Sequence, residues 1–168
     1  IPEARSLIVG LRYFNVYGPQ EHHKGKMASI FYQLYHQIME TGEARLFRGT
    51  DGLADGEQRR DFVYVGDVVR VNLHFFTHGG VSGIYNCGTG MAHSYNEAAH
   101  AVIAALGKGR VVYRDFPEVL RGKYQNYTQA DTSALLAAGY DGGFTPMEEA
   151  VKEYCDFLNA GGYFSYAE

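Results

Sequence analysis

Apolar residues recur at two periods along the chain, and the alternation between them predicts an α/β architecture. A nearly continuous apolar run over residues 6–13 (SLIVGLRY) has the pattern of a parallel strand buried on both faces, and Tyr17, Gly18 and Pro19 supply a turn that ends it. Residues 20–26 (QEHHKGK) are polar and predict a loop. Ile30, Phe31, Leu34, Tyr35, Ile38 and Met39 then form one stripe, which predicts a helix over residues 27–41 with Gly42 as its stop. Further strands are predicted over residues 44–47, 60–65, 83–87 and 110–114, with a Gly- and Asp-rich loop at residues 49–58. A helix carrying Val68, Val69, Val71, Phe75 and Phe76 follows Gly66 and Asp67, which offer an N-cap, and it stops at Gly79 and Gly80. Ser94 and Glu97 form a capping box that opens another helix, stopped by Gly107. Asp131 is placed to cap a short helix. Thr145, Pro146 and Glu148 predict the N-cap, first turn and box glutamate of a last one. The tail from residue 161 carries no such signal and is expected to fray.

Composition narrows what such a fold can do. With 168 residues and 46% hydrophobic content, the chain can bury the core of one domain. A net charge of −4 with scattered basic residues lacks the sequence-independent attraction that nucleic acid binding requires, so no nucleic acid partner is expected. No apolar run approaches the roughly 20 residues of a bilayer-crossing helix, so no membrane partner is expected and a cytoplasmic location is. Cys87 and Cys155 lie far apart inside core-like segments and predict reduced, structural thiols. The chain begins at Ile1 and enters a strand-like run almost at once, which predicts that a segment precedes it.

Three clusters could carry chemistry. Asn15 at a strand end offers a donor and an acceptor to a ligand, or it caps the loop. Lys24 follows His22 and His23; adjacent histidines in a loop do not converge on one ion, so no metal site is expected. Lys24 is either a solvated cation or, if buried, a proton-exchanging group. Arg60 follows the Gly-rich loop and opens a strand, where its fork could hold a diphosphate or pair with Asp61. Gly88, Thr89 and Gly90 lack the third glycine of a dinucleotide fingerprint and predict a tight turn.

These motifs, in this order, carry a family resemblance. RYFNVYGP (residues 12–19), HKGxMAS (23–29), LFxG (46–49), RDFVYVGDV (60–68), NxGTG (86–90) and FPxxLxGxYQxxTQAD (116–131) resemble the ADP-glycero-manno-heptose 6-epimerases across nearly the whole chain. The first and fourth strings are shared by extended short-chain dehydrogenases that act on nucleotide sugars. The second and last are the more specific. The resemblance implies the C-terminal part of an extended short-chain dehydrogenase, the end of a Rossmann-type parallel sheet plus a smaller α/β substrate domain. It implies NADP as cofactor, oxidation and re-reduction at C6 of an ADP-sugar substrate for lipopolysaccharide heptose, and a homo-oligomer. Matched position by position, Lys24 is an acid/base. Asn15, Lys26, Gln33, Phe47, Arg48, Gly49, Thr50, Arg60 and Tyr124 bind substrate, and Val16 lies against the cofactor.

The sequence departs from that pattern in places. Lys26 stands where the family has a small hydroxyl residue, and Gln33 where it has a histidine; the loop after Thr50 is long. Neither the Gly-rich cofactor loop nor the YxxxK motif occurs in these residues. Residues 1–168 are therefore expected to be the substrate-binding portion of a longer enzyme, inactive alone, with the dinucleotide-binding half absent. A 4-epimerase or 4,6-dehydratase of the same fold, or a non-catalytic sugar-nucleotide module, are the competing assignments.

Overall fold

The computed structural model describes residues 6–162, so most of the tail expected to fray (residues 163–168) lies outside the described residues. The strands are β1 (Val9–Tyr13), β2 (Asn15–Tyr17), β3 (Glu43–Phe47), β4 (Arg59–Arg60), β5 (Phe62–Tyr64), β6 (Gly83–Cys87), β7 (His93–Ser94) and β8 (Arg110–Arg114). The helices are α1 (Ile30–Thr41), α2 (Val65–His78), α3 (Tyr95–Leu106), α4 (Ser133–Ala137) and α5 (Met147–Asn159). Short 3-10 segments occupy His22–Met27 and Glu118–Leu120.

Strands pair in parallel as β1 with β6, β2 with β5 and β3 with β8, while β4 runs antiparallel to β7. Parallel neighbours need long crossovers, and the helices supply them. Past the first predicted strand, at Phe14, the chain enters β2, which has no counterpart among the predicted strands. The Phe14 amide donates to the Cys87 carbonyl (3.0 Å) and the Asn15 amide to the Asp61 carbonyl (3.1 Å), so the chain passes there from one partner strand to another.

Two apolar cores result. Phe31, Leu34, Ile38, Val102, Val151 and Tyr154 join α1, α3 and α5 over β3 and β5. Val63, Val71, Phe75, Tyr85, Leu135 and Tyr140 join α2 and α4 to β6. The run read as a strand buried on both faces is only half covered: Ile8 and Tyr13 are 48% and 50% exposed, because β1 pairs with β6 alone among the described residues. Ile84 on β6 and Leu73 and Phe76 on α2 are also exposed apolar side chains.

Local signals fixed several ends as expected. The Ser94–Glu97 capping box forms, and α1 stops at Gly42 with φ 73°. Other ends differ. Helix α1 starts at Ile30, capped by Ser29; Met27, expected to open it, ends the 3-10 segment, and Ala28 is extended between the two. Asp67 does not cap α2, nor does Thr145 cap α5; these two residues bind each other instead. The Asp67 carboxylate, fully buried, accepts from the Thr145 amide (2.9 Å), the Thr145 hydroxyl (2.8 Å) and Arg70. Asp131 sits one residue outside the N-cap, Thr132, and accepts from the Ser133 amide (3.0 Å).

Asp61 was expected to be a possible partner of Arg60 and is engaged elsewhere. Its carboxylate is fully buried and accepts from the Thr89 amide (2.8 Å), the Thr89 hydroxyl (2.7 Å), the Gly90 amide (2.9 Å) and the Ala130 amide (3.0 Å). The Gly88 turn wraps this carboxylate so closely that a Cβ on Gly88 would stand 2.7 Å from that of Ala130. Cys87 and Cys155 are free and buried, and burial pushes both thiols up to about 11, which agrees with inert structural thiols. Asp61→Asn replaces an acceptor oxygen by a donor facing these N–H and O–H groups. It is expected to cost about 1–3 kcal/mol of unfolding free energy for each buried donor left without an acceptor. A lower urea midpoint at unchanged m-value is the predicted result; an unaltered midpoint would contradict it.

Candidate functional site

The larger core closes beneath a cavity of about 560 Å³, a size usual for small-ligand sites. Its walls come from β2, the His22–Met27 segment, the start of α1, β3, β8, Tyr95 and the Tyr124 loop. Sequence-distant residues meet there: Asn15, Val16, Lys24, Lys26, Gln33, Phe47 and Tyr124 all line it.

Asn15 and Val16 reach the cavity because β2 is held in register with β5, Asn15 opposite Phe62 and Val16 opposite Val63. Lys24 and Lys26 stand on the exposed 3-10 segment, which kinks at Gly25 (φ 53°). Gln33 projects from the first turns of α1, where its amide donates to the Ala28 carbonyl (2.8 Å) and ties that segment to the helix. Tyr124 donates its hydroxyl to that of Tyr95 (2.9 Å). Burial, foremost, and Tyr124 push the Tyr95 phenol up, so it holds its proton at neutral pH.

Four expected site residues lie off the cavity wall. Arg48 pairs with Asp115 (3.3 Å) and Asp55 (3.5 Å). Gly49 is required by its own loop: its amide donates to Asp55 (2.8 Å), and a Cβ there would stand 1.8 Å from the Leu53 carbonyl oxygen. Thr50 follows it into that loop and accepts at its carbonyl from the Leu53 amide (3.0 Å). Arg60 is 6% exposed, and its guanidinium donates to the carbonyls of Arg59 (2.8 Å) and Gln125. That guanidinium lies 4.9 Å from the Tyr124 ring centroid, so it backs the cavity wall instead of forming it.

Residues not expected from the motifs complete the lining: Glu21, Ser29, Gln37, Arg45, Gln58, Tyr95 and Arg114 among them. Period and register could have found several. Arg45 shares a strand face with Phe47 two residues on, Gln37 follows Gln33 by one helical turn, and Arg114 is the register partner of Phe47. The Arg114 guanidinium lies 4.6 Å from the Phe47 ring centroid, a cation–π contact at the outer end of the cavity.

The cavity is cationic although the chain carries a net −4. Lys24, Lys26, Arg45 and Arg114 face it against one carboxylate, Glu21, whose oxygens are taken by Ser29 and Tyr154. Such a lining suits an anion, and the adjoining aromatic rings suit a flat base. Val16, Ile30 and Phe62 give the apolar part of the wall. Among the described residues no group of three or more His, Cys, Asp or Glu is arranged to hold a metal ion; His22 and His23 stand edge to face at 5.7 Å. No described helix is long and apolar enough to cross a membrane.

The chain is 58% identical over 149 residues to the ADP-L-glycero-D-manno-heptose-6-epimerase of Alkalilimnicola ehrlichii, covering 89% of this chain and 47% of that protein. It is 48% identical to the enzyme of that name from Thiobacillus denitrificans, covering 93% and 52%. The chain thus spans about half the length of the curated relatives it matches. Its structure superposes on Helicobacter pylori ADP-L-glycero-D-manno-heptose-6-epimerase with a TM-score of 0.77 at 35% identity, over 92% of this chain and 45% of that one. UDP-glucose 4-epimerase of Thermotoga maritima gives 0.73 at 26%, over 91% and 46%. The parallel α/β arrangement is therefore the Rossmann-type fold of such epimerases, present in part. The model of the NAD dependent epimerase/dehydratase family matches residues 3–88, about half of the sequence, and the chain belongs to that family.

Proposed function

We propose that residues 1–168 are the C-terminal, substrate-binding portion of an NADP-dependent ADP-L-glycero-D-manno-heptose 6-epimerase. The whole enzyme would act in the cytoplasm, as a homo-oligomer, in supplying heptose for lipopolysaccharide. The observation that carries this reading is the cationic, partly aromatic cavity into which Asn15, Lys24, Gln33, Phe47 and Tyr124 converge from separate motifs. Identity of 58% and 48% to two enzymes of this name supports the choice of sugar.

In this reading Phe47 and Arg114 flank the adenine end and Lys26, Arg45 and Arg114 meet the diphosphate. Asn15, Gln33 and Tyr124 orient the sugar toward Lys24. Epimerisation requires the C6 hydroxyl to lose its proton as hydrogen leaves one face and to regain it as hydrogen returns on the other. Lys24 serves one side of that exchange. The dinucleotide fits this chain along Val16 and the apolar wall beside it; the sequence offers no glycine-rich loop for its phosphates. When bound, it accepts the hydride and gives it back. The exposed apolar side chains of β1, β6 and α2 suit burial by the other half of such a protein. Arg60 serves the site through Tyr124 and Gln125.

In the full-length enzyme, Lys24→Met is expected to lower kcat about 10²-fold or more while leaving KM nearly unchanged, the scale of a lost acid/base group. Steady-state kinetics decides: a raised KM at unchanged kcat would make Lys24 a phosphate clamp. Arg60→Ala is expected to weaken ADP binding by about 1–2 kcal/mol and to lower the urea midpoint as well, since it removes two carbonyl partners and the support under Tyr124. Arg60→Lys, without a planar fork, should restore little of either. Calorimetric titration that showed lost affinity with an unchanged midpoint would instead put Arg60 on the diphosphate.

A further inference from the structure

The 3-10 segment that carries Lys24 is exposed along its length, yet its two ends are fastened to one carboxylate. Glu21, immediately before the segment, is 3% exposed. Its Oε2 accepts from the Ser29 amide and its Oε1 from the Ser29 hydroxyl, each at 2.6 Å. Oε1 also accepts from the Tyr154 hydroxyl on α5 at 2.8 Å. Burial and the nearby Glu21 carboxylate push the Tyr154 phenol up, so it remains a donor at neutral pH. The Glu21 carbonyl takes the Lys24 amide (3.0 Å), and Ser29, as N-cap of α1, accepts from the Tyr32 amide (3.3 Å). A short loop therefore closes at its base on a buried anion, with Lys24 near its middle, and that base is anchored to two core helices.

We infer that Glu21 is the positioning residue of the site: its carboxylate closes the Lys24 loop onto α1 and α5 and thereby sets where the Lys24 ammonium stands against the substrate. The inference rests on the acid/base reading of Lys24. Placement matters at this scale, because a displacement of about 1 Å can cost on the order of 10²-fold in rate. Glu21→Gln keeps the shape but turns one acceptor into a donor facing the donors of Ser29 or Tyr154, so the loop base must shift. A purely structural carboxylate would alter stability and binding without acting through Lys24.

The test is steady-state kinetics on the full-length enzyme as wild type, Glu21→Gln, Lys24→Met, the double variant and Ser29→Ala, each checked for folding by circular dichroism. Glu21→Gln is expected to lower kcat about 10-fold or more with KM within about threefold of wild type. The double variant should be no slower than Lys24→Met alone, since residues acting as a unit are not additive. A wild-type kcat for Glu21→Gln, or a further loss in the double variant, overturns the positioning role while leaving the Lys24 reading intact. Wild-type turnover of Lys24→Met overturns that reading, and the positioning role with it. If Glu21→Gln does not fold, Ser29→Ala decides: a lowered kcat at unchanged KM supports the inference and an unchanged kcat overturns it.

Discussion

A carboxylate taken out of water must be met by donors within the fold, and this requirement organises the molecule. Asp61, Asp67 and Glu21 are each buried, and each is satisfied by groups remote in sequence: Ala130 for Asp61, Thr145 for Asp67 and Tyr154 for Glu21. Asp61 fixes the chain just before β5 to the Gly88 turn and the Ala130 loop, and its carbonyl receives the Asn15 amide that starts β2. Asp67 fixes the first turn of α2 to the residue before the N-cap of α5. Glu21 fixes the Lys24 loop to α1 and α5. Of these ties, that of Glu21 reaches the cavity wall itself.

The same requirement explains what the sequence revealed and what it withheld. Signals that act within one turn were legible: the Ser94–Glu97 box, the Gly42 and Gly107 stops, and the apolar stripe of α1. The strands β3, β6 and β8 were placed to within one residue by apolar content and flanking glycines. Caps were misplaced where a capping side chain had a stronger partner far away, as for Asp67 and Thr145. The change of partner at Phe14, which makes β2 a strand of its own, depends on which strands lie beside it, which no local pattern encodes.

For the site, the motifs located the strand end at Asn15, the Lys24 loop, Phe47 and Tyr124 but not the direction of every side chain. Arg60 has the sequence context of a phosphate ligand, yet its guanidinium turns inward to two carbonyls and the Tyr124 ring. Gly49 and Thr50 follow Phe47 in sequence but leave the cavity because the loop folds back on Asp55. Two further cations that face the cavity beside Lys24 and Lys26, namely Arg45 and Arg114, lie on strands outside the motifs, in a chain of overall acidic composition. Net charge describes the whole surface, whereas recognition depends on the few charges that one concave face collects.

The proposed chemistry depends on a single spatial relation, that of the Lys24 ammonium to the C6 hydroxyl of a nucleotide sugar lying in this cavity. A crystal structure of the full-length protein with an ADP-sugar measures it directly. The account predicts the base beside Phe47 and Arg114, the diphosphate among Lys26, Arg45 and Arg114, and Lys24 Nζ within about 3 Å of the C6 oxygen or one bridging water away. A sugar bound with its C6 turned away from Lys24, or a nucleotide seated outside the cavity, would contradict it.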